Sequence, residues 1–158
     1  MERKRINIYT TFGANNIYTE GYVLSAGNWI DVIYFLDWLE NAVQTNIVNL
    51  LVSSPNKIPQ TSAGISAIKN VVEAACVEGV RNGGIAPGQL SEALKTDVEQ
   101  SIGIEFDGFL STGYLVYIMP ISEQSQVVRN ERASPPVRVW LKGSGAIHSV
   151  ETRLTFEN

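Results

Sequence analysis

Apolar and polar residues alternate most regularly at the C-terminal end of the chain. One face of this segment would carry Val150, Thr152, Leu154 and Phe156, and the other Glu151, Arg153, Thr155 and Glu157. A period of two is typical of a half-buried β-strand, which we predict over about Ala146 to Phe156. A terminal strand can pair with a sheet edge of its own subunit or of a neighbour. The pattern therefore predicts assembly through strand pairing.

A second alternating segment lies near the N-terminus. Ile6 to Phe12 predicts a strand that stops at Gly13, and the polar stretch from Ala14 to Gly27 predicts a loop. The residues that we predict for strand pairing between subunits are Ile6, Ile8, Val150, Thr152, Leu154 and Phe156.

Helical spacing of apolar residues dominates the middle of the chain. A long helix is predicted from a cap at Asn28 to about Val52, and its largely apolar first half should be buried against two partners. A second helix should begin at Thr61 or Ser62, run through Val80 and stop at Asn82-Gly83-Gly84. A weaker pattern from Leu90 to Ile102 predicts a surface helix.

The remaining elements are strands and connections. Tyr114 to Met119 is apolar on both faces, as in a covered central strand, and a polar connection follows from Ser122 to Pro135. A further strand precedes the turn at Gly143-Ser144-Gly145. We predict an α+β fold, with a mainly antiparallel sheet of about four strands covered on one face by the two long helices. Residues 1–158 are expected to form a single domain.

Composition excludes several classes of function. The 12 basic and 16 acidic residues give a formal charge of −4, and no basic patch argues for a nucleic-acid partner. No apolar run approaches the roughly 18 residues that a membrane span needs, and no signal peptide is recognisable, so we expect a soluble, unexported protein. The single cysteine, Cys76, has helical apolar neighbours and is predicted to be a buried core residue.

Candidate catalytic residues are few. His148 is the only histidine, and no Gly-x-Ser-x-Gly elbow accompanies it, so an ordinary strand histidine is favoured over a catalytic triad. Asp37 and Glu40 could form a carboxylate pair at i,i+3, but a solvated helix edge explains them better, and Asp31 suits the start of the helix. The three tryptophans are expected to be core or interface anchors rather than a stacking platform. We predict no catalytic, metal or cofactor site.

Several motifs, taken in order, resemble a known family. They are Glu20-Gly-Tyr-Val-Leu-Ser-Ala-Gly-Asn-Trp-Ile-Asp31, Asp37-Trp-Leu39, Lys57-Ile-Pro-Gln-Thr-Ser-Ala-Gly-Ile65, Asn82-Gly-Gly-Ile-Ala-Pro-Gly88, Arg129-Asn-Glu-Arg-Ala-Ser-Pro-Pro136 and Gly145-Ala-Ile-His-Ser-Val150. Their order and spacing resemble the C-terminal region of contractile phage tail sheath proteins, in particular a sheath-like family of myophages.

The resemblance implies a structural protein of the virion. Copies would form a homo-oligomeric ring or helix around the tail tube protein, contact the baseplate, and shorten to drive the tube through the host envelope after assembly in the host cytoplasm. Terminal arms of such sheaths pair with sheets of neighbouring subunits. Family members usually carry a large N-terminal portion, whereas Met1 here almost directly precedes the first strand, so the N-terminal linking arm is expected to be missing or shortened.

Two other classes remain open at this stage. A small enzyme would need His148 in a polar cleft with an acid and a nucleophile. A tail or baseplate adaptor module would share the sheath-like fold without polymerising.

Overall fold

The computed structural model describes residues 8–19 and 29–147. The chain divides into two compact units, which we call the terminal unit (Met1–Tyr34 with Gly145–Asn158) and the core unit (Phe35–Ser144). The described residues form four α-helices and three two-stranded antiparallel sheets. The α+β class is therefore confirmed.

The terminal unit contains a β-hairpin. Its strands are β1 (Ile8–Phe12) and β2 (Asn15–Thr19), which run antiparallel. The two-residue loop between them begins with Gly13, whose φ is 61°. A positive φ at the first loop position matches the right-handed twist of the strands, which is why a glycine suits this position.

The second strand corrects the sequence analysis. The loop predicted from Ala14 to Gly27 is wrong over Asn15–Thr19, which pairs with β1. Asparagine has a low strand propensity, but the turn at Gly13 brings this segment back onto β1 regardless. The predicted last strand lies outside the described residues from position 148 onward, and its first two positions, 146 and 147, have no strand conformation.

The two long helices begin and end close to their predicted positions. α1 spans Ile30–Ser53 and α2 spans Ser62–Arg81. Asn82 caps the C-terminus of α2, and the following Gly83 has a φ of 74°, a left-handed conformation that stops a helix. The predicted cap at Asn28 lies outside the described residues.

α1 is much more exposed than predicted. Its only buried residue is Leu39, which packs with Ala75 of α2, whereas Ile30, Tyr34 and Leu36 in its first half are 49%, 74% and 48% exposed. The predicted burial is therefore present where Phe35, Trp38 and Leu39 pack in the core, and it is wrong for Ile30, Tyr34 and Leu36. Apolar character on several sides of a helix does not distinguish burial in a core from exposure at an interface.

The centre of the core unit is an antiparallel strand pair, β5 (Tyr114–Ile118) and β6 (Val137–Leu141). On one face of this pair, Val116 packs with Val72 and Cys76 of α2. Residues of α1 on the same side complete the cluster. Residues of both long helices therefore pack on this face of the strand pair.

The opposite face of the β5–β6 pair is covered as well. Trp140 is buried there with Leu90, Val98 and Leu110, and Leu115 packs against them. The segment that supplies this cover contains β3 (Gly88–Gln89), α3 (Glu92–Ile102) and β4 (Phe109–Leu110). Val98 is completely buried, whereas most other residues of α3 are exposed, so α3 is a surface helix, as predicted, that packs onto the core through Val98.

The sheet therefore differs from its prediction in two ways. Within the described residues the strands pair only two at a time, so a sheet of about four strands is not confirmed. The β5–β6 pair is also covered on two faces instead of one, because its apolar residues face both sides. The apolar pattern of Tyr114–Met119 did predict a strand covered on both faces.

The predicted connection between β5 and β6 contains two short helical segments. A 3₁₀ turn spans Ile121–Glu123 and α4 spans Gln126–Asn130. The Ser125 hydroxyl accepts a hydrogen bond from the Val128 N–H at 3.4 Å and so caps α4.

Candidate subunit-interface surfaces

The residues predicted for strand pairing are described at one position only. Ile8 lies in β1 opposite Thr19 and is 52% exposed, and its neighbour Tyr9 is 70% exposed. The positions that lie outside the described residues are Ile6, Val150, Thr152, Leu154 and Phe156. Their part in strand pairing between subunits remains a prediction.

The hairpin ladder determines which backbone groups of β1 would meet a further strand. Residues flanking a two-residue loop exchange hydrogen bonds, and bonded and non-bonded pairs then alternate. Thr10 and Ile17 consequently bond to each other, whereas Tyr9 and Thr11 direct their backbone groups away from β2. Thr11 and Asn16 form a pair without backbone hydrogen bonds, and the Thr11 hydroxyl donates to Asn16 Oδ1 at 2.8 Å across it. A strand added beside β1 would therefore bond to Tyr9 and Thr11.

The second half of α1 presents an uncharged surface that the sequence analysis missed. No residue from Asn41 to Asn56 is charged. Val48, Leu51 and Val52, spaced by three and four residues on one face, are 55%, 57% and 80% exposed. Depletion of charge around exposed apolar residues is typical of the centre of a protein interface. The uncharged run was the signal in the sequence that could have revealed this surface.

Two adjoining hollows lie beside this surface, where the connection from α1 enters α2. They share Ile58, Pro59 and Gly64. The larger hollow, of about 260 Å³, borders Lys57, and the smaller, of about 130 Å³, borders Arg132. Apolar residues that line the smaller hollow include Leu51, Ile65, Ile68 and Ile121. We call this surface the α1–α2 corner; it combines an apolar floor with two basic side chains at its rim.

Gly64 sets the shape of the α1–α2 corner. It is buried, and a Cβ at this position would collide with the backbone carbonyl oxygen of Pro59. The same oxygen accepts a hydrogen bond from the Thr61 N–H at 2.9 Å. The connection can lie this close to α2 only because residue 64 has no side chain.

The candidate carboxylates have ordinary helix-surface positions. Asp37 and Glu40 are exposed, and Gln44 donates from Nε2 to Glu40 Oε1 at 3.1 Å. Asp31 lies in the first turn of α1, where a negative charge favours the helix dipole. His148 lies outside the described residues. These contacts support the structural interpretation of the carboxylates.

Cys76 is a core residue, as predicted. It is completely buried, and burial raises the pKa of its thiol to about 11, with the nearby Glu73 carboxylate as a second cause. The thiol is therefore protonated at neutral pH, and a protonated, buried thiol is a poor nucleophile.

Trp140 is an anchor between β6 and α3. Its Nε1 donates to Asp97 Oδ2 at 2.7 Å, and Arg138 Nη1 lies 3.7 Å from Asp97 Oδ1. Arg138 also donates to Ser101 Oγ at 2.5 Å. Asp97, Ser101 and Arg138 border an open groove of about 410 Å³. The indole is buried and bonded inside the fold, so it is not a stacking platform for a ligand.

Within residues 8–19 and 29–147, histidine, cysteine and carboxylate side chains form no group of three that could hold a metal ion. None of the helices described is long and apolar enough to cross a membrane.

Comparison with known protein families identifies the family to which these surfaces belong. The family model described as "E217 tail sheath protein gp31-like, C-terminal domain" matches residues 30–156. No match was found among curated proteins. The matched range includes α1, α2 and the β5–β6 pair, and it confirms the resemblance carried by the motifs. The chain therefore belongs to the E217 tail sheath protein gp31-like family, of which it matches the C-terminal domain.

Proposed function

We propose that this protein is a structural subunit of a contractile phage tail sheath, which polymerises around the tail tube and contracts to drive the tube through the host envelope. The observation that carries the proposal is the match to a tail sheath C-terminal domain over residues 30–156. Membership of this family supports a structural rather than an enzymatic role, and a place in the virion.

The partners follow from the same proposal. Copies of the chain would form rings or a helix, with the tail tube protein inside and baseplate proteins at one end. Assembly would take place in the host cytoplasm, without nucleic acid or membrane as a partner. Residues 1–158 would act in this assembly as a single domain.

The hairpin of the terminal unit suits a role in strand exchange. An isolated two-stranded hairpin is marginally stable in water, and a third strand adds backbone hydrogen bonds. The described side chains of β1 are exposed, and Tyr9 and Thr11 direct backbone groups toward the position of such a strand. We propose that the alternating segment at 150–156 of a neighbouring copy fills this position.

Electron microscopy of the purified chain, with and without its tube protein, tests the function directly. Tubes or rings of regular width support a sheath subunit. Particles that stay monomeric by light scattering, and that bind only the end of the tube, would identify a non-polymerising adaptor instead.

Proline substitutions test strand exchange. Tyr9→Pro removes an N–H that points away from β2, so it should leave the hairpin intact and stop polymerisation. Tyr9→Val, which loses the aromatic ring but keeps the N–H, should polymerise. On the other strand, Thr152→Pro should remove a ladder donor and Leu154→Asp should charge the buried face, and both should prevent tubes while the helical circular dichroism persists. Normal tubes from Tyr9→Pro, Thr152→Pro and Leu154→Asp would reject strand exchange.

A further inference from the structure

An acidic loop lies between α3 and β4. Ile104 is 65% exposed and Phe109 is 49% exposed, with the exposed carboxylates of Glu105 and Asp107 between them. Carboxylates flanked by exposed apolar side chains form a surface suited to an apolar site with basic residues at its edge. We call residues 103–109, which include the first residue of β4, the acidic loop.

Packing and hydrogen bonds attach the acidic loop to the rest of the core unit. Phe106 packs against the cluster around Trp140, and its N–H donates to Glu99 Oε1 at 3.1 Å. Asp107 Oδ1 accepts from the Phe109 N–H at 2.9 Å, and the Asp107 carbonyl accepts from Gln89 at 2.8 Å. A loop that is already ordered loses little conformational entropy when it binds.

The α1–α2 corner is complementary to this loop in charge and in polarity. Its floor is apolar, Lys57 and Arg132 stand at its rim, and no carboxylate is among the described residues that line it. The corner therefore offers two cations and an apolar surface to a loop that carries two carboxylates and two exposed apolar side chains. Complementary charges of this kind select the orientation of a contact.

The two surfaces lie in different layers of the core unit. Ile68 of the corner packs on the face of the β5–β6 pair that α2 covers, whereas Phe106 of the loop packs on the opposite face. A contact between different patches on two identical subunits is heterologous and repeats from copy to copy, giving a ring or a helical filament.

We propose that the acidic loop of one copy docks on the α1–α2 corner of the next copy. The proposal rests on the proposed sheath function for its choice of a second copy as the partner. The contact is small and acts through repetition along the assembly, in addition to strand exchange by the terminal segments.

Cysteine cross-linking tests this contact in the full chain. Leu51→Cys and Ile104→Cys place thiols on the corner and on the loop, and the buried Cys76 gives a low background. A chain with both substitutions should form a ladder of disulfide-linked oligomers under mild oxidation. A mixture of the two single variants should stop at dimers, and each single variant alone should give only background. Equal dimer yields from one single variant alone and from the mixture would overturn the proposal.

Charge reversal provides a second readout. Glu105→Lys or Lys57→Glu should lower the cross-linking yield of the cysteine pair roughly threefold, which is the size of effect expected from the loss of one exposed ion pair. The decrease should be larger at low salt, where charges are less screened. The two reversals together should restore it, because identical copies again present opposite charges. Glu78→Lys, an exposed reversal on α2, is the matched control and should change nothing. Failure of the double reversal to restore the yield would contradict docking by charge complementarity.

The cross-linking result can be distinguished from the result of the tube-formation test of the sheath function. Cross-linking of the pair without tube formation on the tube protein would uphold the docking contact and reject the sheath. Tubes from the parent chain, with no ladder from the cysteine pair even inside those tubes, would reject the docking contact and uphold the sheath. Neither tubes nor a ladder would reject both.

Discussion

Replacing Leu39 with alanine tests how α1 is attached to the core unit. Leu39 is 5% exposed and packs with Ala75 and Ile85. The substitution removes three carbon atoms, and at about 0.8 kcal/mol for each the loss of apolar burial costs about 2.4 kcal/mol. The cavity that remains adds a further cost, which depends on how far the neighbouring groups can collapse.

The neighbours of Leu39 have little freedom to collapse. The ring of Phe35 lies so close to Gly84 that a Cβ there would collide with it, and the Ile85 side chain is nearly as close to Gly79. Because side chains and backbone already touch here, we expect most of the cavity to remain. The total should be about 3–4 kcal/mol, inside the range of about 2–5 kcal/mol for buried leucine truncations. Such a loss is a large part of a typical domain stability of about 5–15 kcal/mol.

Urea denaturation, followed by far-ultraviolet circular dichroism and by tryptophan fluorescence, measures the free energy of unfolding. Leu36→Ala on the same helix is the control, because Leu36 is 48% exposed and its truncation should cost no more than about 1 kcal/mol. If Leu39→Ala unfolds within about 0.5 kcal/mol of the parent, the placement of α1 against α2 is wrong.

Three further predictions concern the interior of the core unit. The free energy of unfolding should fall as pH rises from about 9 to about 11, because unfolding exposes the Cys76 thiol to ionisation at its ordinary pKa. The loss should be on the order of 2 kcal/mol. It should be absent from Cys76→Ala when urea melts of the parent and the variant are compared across this pH range. Asp97→Ala leaves the buried Trp140 N–H without its acceptor and should cost about 1–3 kcal/mol, whereas Asp97→Asn should recover most of this loss in the same melts. Gly64→Ala drives a Cβ into the Pro59 carbonyl and should cost about 1–3 kcal/mol in thermal denaturation, while unchanged stability would show that the connection can move.

The long helices could be predicted from the sequence because their signals are local. Helical spacing and the prolines after Ser53 defined α1, and Asn82 with the two following glycines defined the end of α2. The hairpin partner of β1 was missed because asparagine-rich residues after Gly13 have the composition of a loop, although the turn geometry makes them a strand.

The tertiary pairings could not be predicted, because they join residues far apart in the chain. Asp97 and Trp140 are 43 positions apart, and the sequence around each residue does not indicate that the two pair. The same limitation explains the error about α1, since an apolar residue in a sequence can face either a core or a partner. The family motifs predicted a structural role. The α1–α2 corner and the acidic loop could not be predicted, because they depend on the exposure of individual residues.

The contacts of Gly84 have a mechanical consequence. The chain enters the core unit at Phe35, whose ring lies against Gly84, and leaves it at Ser144, whose N–H donates to the Gly84 carbonyl at 3.2 Å. The residues at which the chain enters and leaves the unit therefore both contact Gly84. Tension applied through the two ends would load the contacts around Gly84, and ends that contact one residue favour circular permutation of a domain.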